Sequence, residues 1–268
     1  MPALSPIAPV EDCVVELTDI SKTFANGVVA LQGFDLRVER GAFLSLLGPS
    51  GCGKSTVLRL IAGLLGPSSG TVSWRASESG KRRGEHGLGF VFQDATLMPW
   101  VNAATNVALP LKLAGLDKPT RQARAEEALE RVGLGAFAHS YPRELSGGMR
   151  MRVSIARALV TQPAVLLMDE PFAALDEISR FKLNDDLLAL WQSLRMTIVF
   201  VTHSVFESAY LSSRIAVMTS RRGRIHAELP VDAPYPRDGQ FRTSAEYAAV
   251  CRRVSQALGA ASAETNAP

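Results

Sequence analysis

Short apolar segments alternate with segments of helical periodicity along most of this chain. Runs rich in β-branched and other apolar residues predict strands at residues 14–18, 34–38, 43–47, 71–74, 89–92, 165–169, 197–202, 214–219 and 224–229. Glycine-rich turns separate several of these runs, and apolar residues at helical spacing follow, as at Val57, Leu58, Leu60 and Ile61. This alternation is typical of an α/β fold in which helices cover a mostly parallel sheet.

The interval between residues 92 and 165 departs from this alternation and predicts helices only. Helical periodicity covers residues 105–116, 120–132 and 149–159. We therefore expect one domain at residues 13–230, with a core formed by 13–93 and 161–230 and a helical subdomain at about 94–160.

Residues 231–268 are expected to form a C-terminal helix and a flexible tail. Thr243 and Glu246 have the spacing of a capping box. Tyr247, Val250, Cys251, Val254 and Leu258 then form one apolar stripe, and Gly259 is expected to end the helix. The stripe predicts that this helix docks on the core.

Composition supports a globular protein without naming a partner. Of 268 residues, 47% are hydrophobic and 21% are charged, which excludes disordered and collagen-like chains. The formal net charge of +3 is ordinary for a soluble domain, so no nucleic-acid partner is expected. The three cysteines, at no metal-ligand or framework spacing, indicate a reducing compartment.

Neither a membrane span nor a signal peptide is predicted. The longest apolar stretches, residues 57–65 and 164–168, are much shorter than the ~20 residues that cross a bilayer. Residues 1–10 lack the basic start and apolar centre of a signal peptide, so we expect the protein to remain where it is made.

A glycine-rich loop between a predicted strand and a predicted helix carries the first chemical signal. This phosphate loop consists of Gly48, Pro49, Ser50, Gly51, Cys52, Gly53, Lys54, Ser55 and Thr56. Its backbone amides and the helix start can hold an anion, Lys54 can reach the β- and γ-phosphates, and Ser55 can ligate Mg²⁺. The flanking strand and helix predict nucleotide binding. The helix dipole is expected to lower the pKa of Cys52, which would make it the thiol most sensitive to alkylation and shielded by ATP.

Polar residues follow three other predicted strands. Asp169 and Glu170 end a buried strand, where Asp169 suits a Mg²⁺ shell and Glu170 suits a base for the attacking water, provided that this strand neighbours the strand before the phosphate loop. His203 ends another strand, and Gln93 could coordinate Mg²⁺ or position water. An exposed acidic turn, a structural histidine and a surface glutamine are the alternative interpretations.

A second glycine turn precedes the helix at residues 149–159. This signature turn, Leu145–Ser146–Gly147–Gly148–Met149, either caps its helix through Ser146 or binds an anion. The order of phosphate loop, Gln93, signature turn, Asp169–Glu170, Ala174–Leu175–Asp176 and His203 resembles that of ATP-binding subunits of ABC transporters. The fold implied is a P-loop NTPase with a RecA-like core, a helical signature subdomain and an antiparallel β edge.

The resemblance also implies an assembly. Two chains are expected to pack head to tail as a homodimer, so that Ser146, Gly147 and Gly148 of one close over the γ-phosphate held by Lys54 of the other. Asp176 then lies at the dimer seam, His203 contacts the γ-phosphate and Phe24 stacks on adenine. The implied cofactors are ATP and Mg²⁺. Met151 departs from the family pattern, which has glutamine two residues after the turn.

The segment from Phe90 to Val107 resembles importers of nitrate, sulfonates, taurine and pyrimidine precursors. Within it, Met98, Pro99 and Trp100 form an apolar patch suited to gripping a partner helix, with burial in the core as the alternative for Trp100. The resemblance implies an integral membrane permease as partner, a periplasmic solute-binding protein acting indirectly, and a peripheral location at the cytoplasmic face of the inner membrane.

Two other functions stay open. One is a soluble ABC ATPase in DNA repair or translation, with Lys81–Arg82–Arg83 and the basic run at residues 221–224 as phosphate contacts. The other is a P-loop kinase acting on a small molecule, for which the signature turn and Glu170 have no necessary role. The solute itself cannot be predicted, because it does not touch a subunit of this type.

Overall fold

Two β-sheets and their surrounding helices make up residues 13–75 and 87–263, the part of the chain that this computed structural model describes. The strands are β1 (Cys13–Thr23), β2 (Val29–Glu39), β3 (Phe43–Leu47), β4 (Ser69–Trp74), β5 (Leu88–Val91), β6 (Val165–Asp169), β7 (Thr197–Thr202), β8 (Arg214–Met218) and β9 (Ile225–Pro230). The helices are α1 (Lys54–Ile61), α2 (Ala103–Leu113), α3 (Lys118–Arg131), α4 (Gly147–Leu159), α5 (Glu177–Leu194), α6 (Val205–Leu211), α7 (Gly239–Arg242) and α8 (Ala245–Ala263). The predicted strands are confirmed, but β1 ends five residues later and β2 begins five residues earlier than predicted, whereas the ends of the others shift by at most two residues.

The larger sheet has the strand order β5-β6-β7-β3-β8-β9 and is parallel except for β9, which pairs antiparallel with β8. Every residue of β3, β6 and β7 is buried, which explains why these strands are continuous apolar runs in the sequence. The smaller sheet, β2-β1-β4, is antiparallel. The predicted fold class, an α/β core with an antiparallel edge, is confirmed.

The strand before the phosphate loop and the strand before the two acids are not neighbours. β7 lies between β3 and β6. The assumption that these two strands are neighbours, on which the predicted roles of Asp169 and Glu170 depended, is therefore wrong. Helix α1, which continues from the phosphate loop, packs over β6 and β7 instead. This crossing brings the start of α1 to the end of β6.

Helices α2, α3 and α4 form the insert between β5 and β6, as the periodicity predicted. The sequence pattern missed α5 and α6. The buried face of α5 includes the polar Asn184, whereas its apolar Ile178 is 83% exposed, so its periodicity is weak.

Within the described ranges, no helix has both the length and the apolar character needed to cross a bilayer.

Helix α8 begins and ends differently from the prediction. Thr243 is not its cap, because its hydroxyl donates to the Gln240 carbonyl, and Ser244 Oγ instead accepts from the Tyr247 N–H at 3.1 Å. Gly259 does not end the helix, which continues to Ala263, because Gly259 does not adopt the left-handed conformation by which glycine ends helices. The predicted stripe does dock on the core beside β8.

The predicted turn at residues 81–84 and the basic run Lys81–Arg83 within it lie outside the described residues, as do residues 1–10 and the end of the predicted tail. Helix α8 extends to Ala263, so the C-terminal segment is helical up to that residue.

Candidate functional site

The phosphate loop is built around glycines that no other residue could replace without strain. Gly51 and Gly53 have φ angles of 79° and 103°, in the left-handed region that glycine favours. A Cβ at Gly53 would also lie 2.8 Å from the carbonyl oxygen of Ala30 at the start of β2. Gly53 caps α1 without a side-chain hydrogen bond, so the first amides of that helix remain available to an anion.

Lys54 is drawn into the loop that precedes it. Its side chain is 4% exposed, and Nζ donates to the carbonyl oxygens of Gly48 and Pro49 at 2.8 and 2.9 Å. The same nitrogen lies 3.7 Å from Oε1 of Glu170. The carbonyls and the carboxylate therefore hold a buried ammonium at the centre of the loop, where it can meet phosphate oxygens.

Ser55 and Asp169 are joined directly, although 114 residues separate them. Ser55 Oγ donates to Asp169 Oδ1 at 2.8 Å. Burial is the main cause that raises the pKa of the Asp169 carboxyl above its ordinary value. A hydroxyl and a carboxylate are hard oxygen donors of the kind that Mg²⁺ prefers. The described residues contain no group of three or more His, Cys, Asp or Glu side chains that could hold a metal ion.

Glu170 adopts a backbone conformation that is unusual for a residue with a side chain. Its φ is 46°, and its N–H donates to the carbonyl of Val201 in β7 at 3.0 Å, which holds the residue in place. Its carboxylate lies between Lys54 and His203, with Oε2 at 3.3 Å from His203 Nδ1. The strained backbone thus aims this carboxylate across the edge of the sheet.

His203 and Gln93 lie at the same edge. His203 directly follows β7, and its side chain is 57% exposed. Gln93 is exposed and lies two residues beyond β5, whose partner β6 ends in Asp169. The structure therefore gathers the candidate residues Lys54, Ser55, Asp169 and Glu170 with His203, and the strand order puts Gln93 beside them.

The signature turn does not contact the phosphate loop of the same chain. Ser146 caps α4, and its Oγ accepts from the Met149 N–H at 3.3 Å. The atoms nearest a Cβ at Gly147 or Gly148 belong to Leu175, Arg150, Leu183 and Ser179, not to the phosphate loop. This single chain therefore does not bring Ser146, Gly147 and Gly148 against its own Lys54.

Asp176 and Phe24 have local roles in this structure. Asp176 caps α5, and hydrogen bonds from Ser179 hold the pKa of its carboxyl below the ordinary value. Phe24 is half-buried just after β1, with Lys22 Nζ 5.7 Å from its ring centroid. The hairpin that carries Phe24 continues into β2, which packs against Gly53.

The prediction of a reactive Cys52 is wrong in this structure. Its side chain is 1% exposed, and burial raises the pKa of its thiol, outweighing the nearby Lys54 ammonium. Cys251 is more accessible than Cys52.

The apolar patch of Met98, Pro99 and Trp100 stands at the surface. Trp100 is 73% exposed, so its burial in the core is excluded. The buried Asn106 of α2 fixes this turn: its Oδ1 accepts from the Met98 N–H, and its Nδ2 donates to the carbonyls of Met98 and Val101. A single buried amide thus shapes the segment that presents the indole.

Arg157 of α4 was not recognised from sequence, where it reads as one of several arginines on a helix. Its guanidinium donates to the carbonyls of Ala95 and Thr96 at 2.9 Å and to the Thr96 hydroxyl at 3.0 Å. These bonds attach the segment after Gln93 to the helix that follows the signature turn. Met151, which departs from the family pattern, is 4% exposed and lies in the hydrophobic cluster that helices α2, α3 and α4 share with one face of the larger sheet.

Two further charged residues, Arg180 and Glu207, line a small cavity together with Glu170 and His203. The cavity has room for about one water molecule. Arg180 lies in α5 and Glu207 in α6, the two helices that the sequence pattern missed. No periodicity or motif in the sequence therefore pointed to these two residues.

Comparisons with known proteins agree on one family. The protein-family model described as ABC transporter matches residues 31–173. The aliphatic sulfonates import ATP-binding protein of Bacillus licheniformis is 44% identical over 236 residues, which is 87% of this chain and 89% of that protein. The nitrate import ATP-binding protein of Synechocystis is 43% identical, over 82% of this chain and 83% of that protein.

Solved structures give the same result. A dimeric ATP-binding cassette in a post-hydrolysis state, bound to ADP and phosphate, matches with a TM-score of 0.71 at 33% identity, covering 82% of this chain and all of that one. A second cassette, from Clostridium perfringens and part of an ABC transporter complex, matches with a TM-score of 0.72 at 28% identity, covering 81% and 88%.

Proposed function

This chain belongs to the ABC transporter family as an ATP-hydrolysing subunit, and we propose that two copies close head to tail over two ATP molecules to power solute uptake through a separate permease. The observation that carries the proposal is the convergence of Lys54, Ser55, Asp169, Glu170 and His203 at one edge of the sheet.

The proposed chemistry is in-line attack of water on the γ-phosphorus of ATP. Glu170 orients the water and takes its proton, and Lys54 with the loop amides stabilises the developing negative charge. Ser55, Asp169 and Gln93 would hold Mg²⁺, which supplies further charge stabilisation when bound. His203, whose Nδ1 lies 3.3 Å from Glu170 Oε2, would contact the γ-phosphate on the side of the attacking water. Phe24 is proposed to stack on adenine.

The head-to-tail arrangement is supported by the position of the signature turn. The start of α4 is available to an anion. Within the chain, however, the signature turn lies next to Leu175, in the loop before α5, and Ser179, in α5, rather than next to the phosphate loop. A second chain would supply Ser146, Gly147 and Gly148 to the phosphate loop, and Asp176, at the neighbouring helix start, would lie at the seam. A match to a dimeric cassette supports this arrangement.

Gly148→Asp tests the dimer without disturbing the fold. The nearest atoms to a new Cβ are Leu183 Cδ1 at 3.8 Å and Ser179 Cβ at 4.0 Å, and an acid in the first turn of α4 suits the helix dipole. Opposite a γ-phosphate, however, the added charge is repulsive. We expect an unchanged melting temperature but a loss of ATP-dependent dimer and of turnover on the order of 100-fold.

Light scattering with ATP and phosphate release would measure both effects. Gly239→Asp is the matched control, since it adds the same charge at another helix start where nothing lies within 4 Å. Wild-type dimerisation and turnover in Gly148→Asp would exclude the composite site and, with it, the proposed mode of action.

The permease is proposed to bind the apolar patch. Trp100 is exposed and rigidly presented, and large exposed aromatic residues commonly dominate the affinity of protein interfaces. We expect Trp100→Ala to leave the turnover of the isolated subunit unchanged while weakening its binding to the permease by about 30-fold.

Saturable binding to inverted membrane vesicles, prepared from host cells deleted for this chain, would measure that affinity. Leu64→Ala is the control, because Leu64 is also a large exposed apolar residue but follows α1, outside the patch. Equal binding of Trp100→Ala and wild type would remove the patch from the interface.

The proposed cargo is a small anionic or heterocyclic nutrient, on the strength of the sulfonate and nitrate import proteins named above. The subunit would then work at the cytoplasmic face of the inner membrane, with a periplasmic solute-binding protein feeding the permease. Uptake of radiolabelled sulfonates and nitrate by cells with and without the chain would separate these two solute classes.

A further inference from the structure

An ion pair between the buried Glu207 and the partly exposed Arg180 lies next to Glu170 and His203. Glu207 of α6 is 7% exposed, its Oε2 accepts from the Thr202 hydroxyl, and its Oε1 lies 3.6 Å from Nε of Arg180. Nε of Arg180 is buried and makes no hydrogen bond, so the ion pair is its polar contact. Neither residue has a place in the chemistry proposed above.

Glu207 holds the turn that carries His203. The Thr202 hydroxyl donates to Glu207 and also accepts from the Ser204 N–H at 2.9 Å. The Ser204 hydroxyl in turn accepts from the Glu207 N–H at 3.3 Å. His203 thus lies between Thr202, which is bonded to the Glu207 carboxylate, and Ser204, which caps the Glu207 backbone, so the backbone position of His203 depends on how Glu207 is held.

Arg180 is attached to the seam loop, Ala174–Leu175–Asp176. Its guanidinium donates to the Leu175 carbonyl at 2.9 Å, and its backbone N–H donates to the Asp176 carbonyl at 2.9 Å. Leu175 is also the residue closest to Gly147 of the signature turn. A shift of the seam loop on closure of a dimer therefore reaches Arg180 first.

The electrostatics favour a mutually dependent pair. Burial raises the pKa of the Glu207 carboxyl, Glu170 raises it further, and Arg180 and His203 act in the opposite direction. If Arg180 moved away, Glu207 would lose its ion-pair partner in a buried site. The position of Glu207 is therefore tied to that of Arg180.

We propose that Arg180 and Glu207 are a positioning pair that transmits the geometry of the seam loop to His203. This inference rests on the proposed head-to-tail function, since it is the partner chain that would move the seam loop. The pair touches no reacting atom and acts by setting where His203 and Glu170 stand when the dimer closes.

The kinetic test separates placement from binding. We expect Arg180→Met and Glu207→Gln each to lower kcat roughly 10- to 100-fold, with little change in the Kd for ATP, because small displacements of catalytic groups have effects of this size. The double variant removes both charges, so it leaves no unpaired buried carboxylate, and because the two residues act as one unit it should lose about as much kcat as a single variant. Asp186→Asn is the matched control, because it breaks the interhelical ion pair with Arg152 away from the site.

A second readout does not depend on activity. The imidazole NMR signals of His203, one of four histidines, can be assigned with His203→Gln. Arg180→Met, which leaves His203 untouched, is expected to move these signals, whereas Asp186→Asn is expected to leave them in place. The proposal of a positioning pair would be overturned by a folded double variant with wild-type kcat. It would also be overturned if the His203 signals did not shift in Arg180→Met. A wild-type chain without ATPase activity would overturn the proposed function instead, and the NMR comparison would still decide the pair.

Discussion

Replacing Glu170 by glutamine is expected to lower kcat for ATP hydrolysis by roughly 10²- to 10⁴-fold, the range that a general base contributes. The amide has the same shape as the carboxylate and can keep the φ of 46° and the Val201 hydrogen bond. It cannot take a proton from water. Because Lys54 keeps its bonds to the Gly48 and Pro49 carbonyls, ATP should still bind.

The consequence for assembly is as large as that for turnover. If hydrolysis opens the dimer, a variant that binds but does not hydrolyse ATP should accumulate as a long-lived dimer. Size-exclusion chromatography with ATP and a phosphate-release assay would measure the two effects. Glu127→Gln, on the exposed face of α3, is the control. Unchanged turnover in Glu170→Gln would remove this residue from the role of base.

Lys54→Ala is expected to affect binding itself. The variant removes the buried ammonium that faces the phosphates, and hydrogen bonds to a charged group contribute enough for a loss of ATP affinity of about 10- to 100-fold. Turnover should fall further, because the same charge stabilises the transition state more than the bound substrate.

Equilibrium binding of a fluorescent ATP analogue, with circular dichroism to verify folding, would measure this loss. Lys118→Ala removes a lysine at the start of α3, away from the loop, and should bind ATP like wild type. ATP affinity that survives in Lys54→Ala would mean that the loop amides alone hold the nucleotide.

The sequence was most informative where local chemistry and sheet geometry coincide. The phosphate loop, the buried strand ending at Asp169 and the strand ending at Thr202 each need a specific residue pattern, and parallel strands bring their ends to one edge. Their convergence was predictable for that reason. The strand order was not, because β3 and β6 meet through α1 rather than side by side.

Side-chain contacts across long separations could not be predicted. Cys52 illustrates this: the helix dipole is a local feature visible in sequence, but its burial depends on packing around the loop and reverses the expected direction of its thiol pKa. Arg180 and Glu207 were missed for a related reason. Their helices mix apolar and polar residues on each face, and their pairing exists only after α5 and α6 pack together.

The bonds that Arg157 makes have a mechanical consequence for the subunit. Since the Ala95 and Thr96 carbonyls accept hydrogen bonds from Arg157, the segment that leads to Trp100 is attached directly to α4, the helix that Ser146 caps. In the proposed assembly, the Trp100 side of this unit would bind the permease, and the Ser146 side would bind the nucleotide held by the partner chain. If both contacts form, a movement at either one would be transmitted to the other through the hydrogen bonds of Arg157.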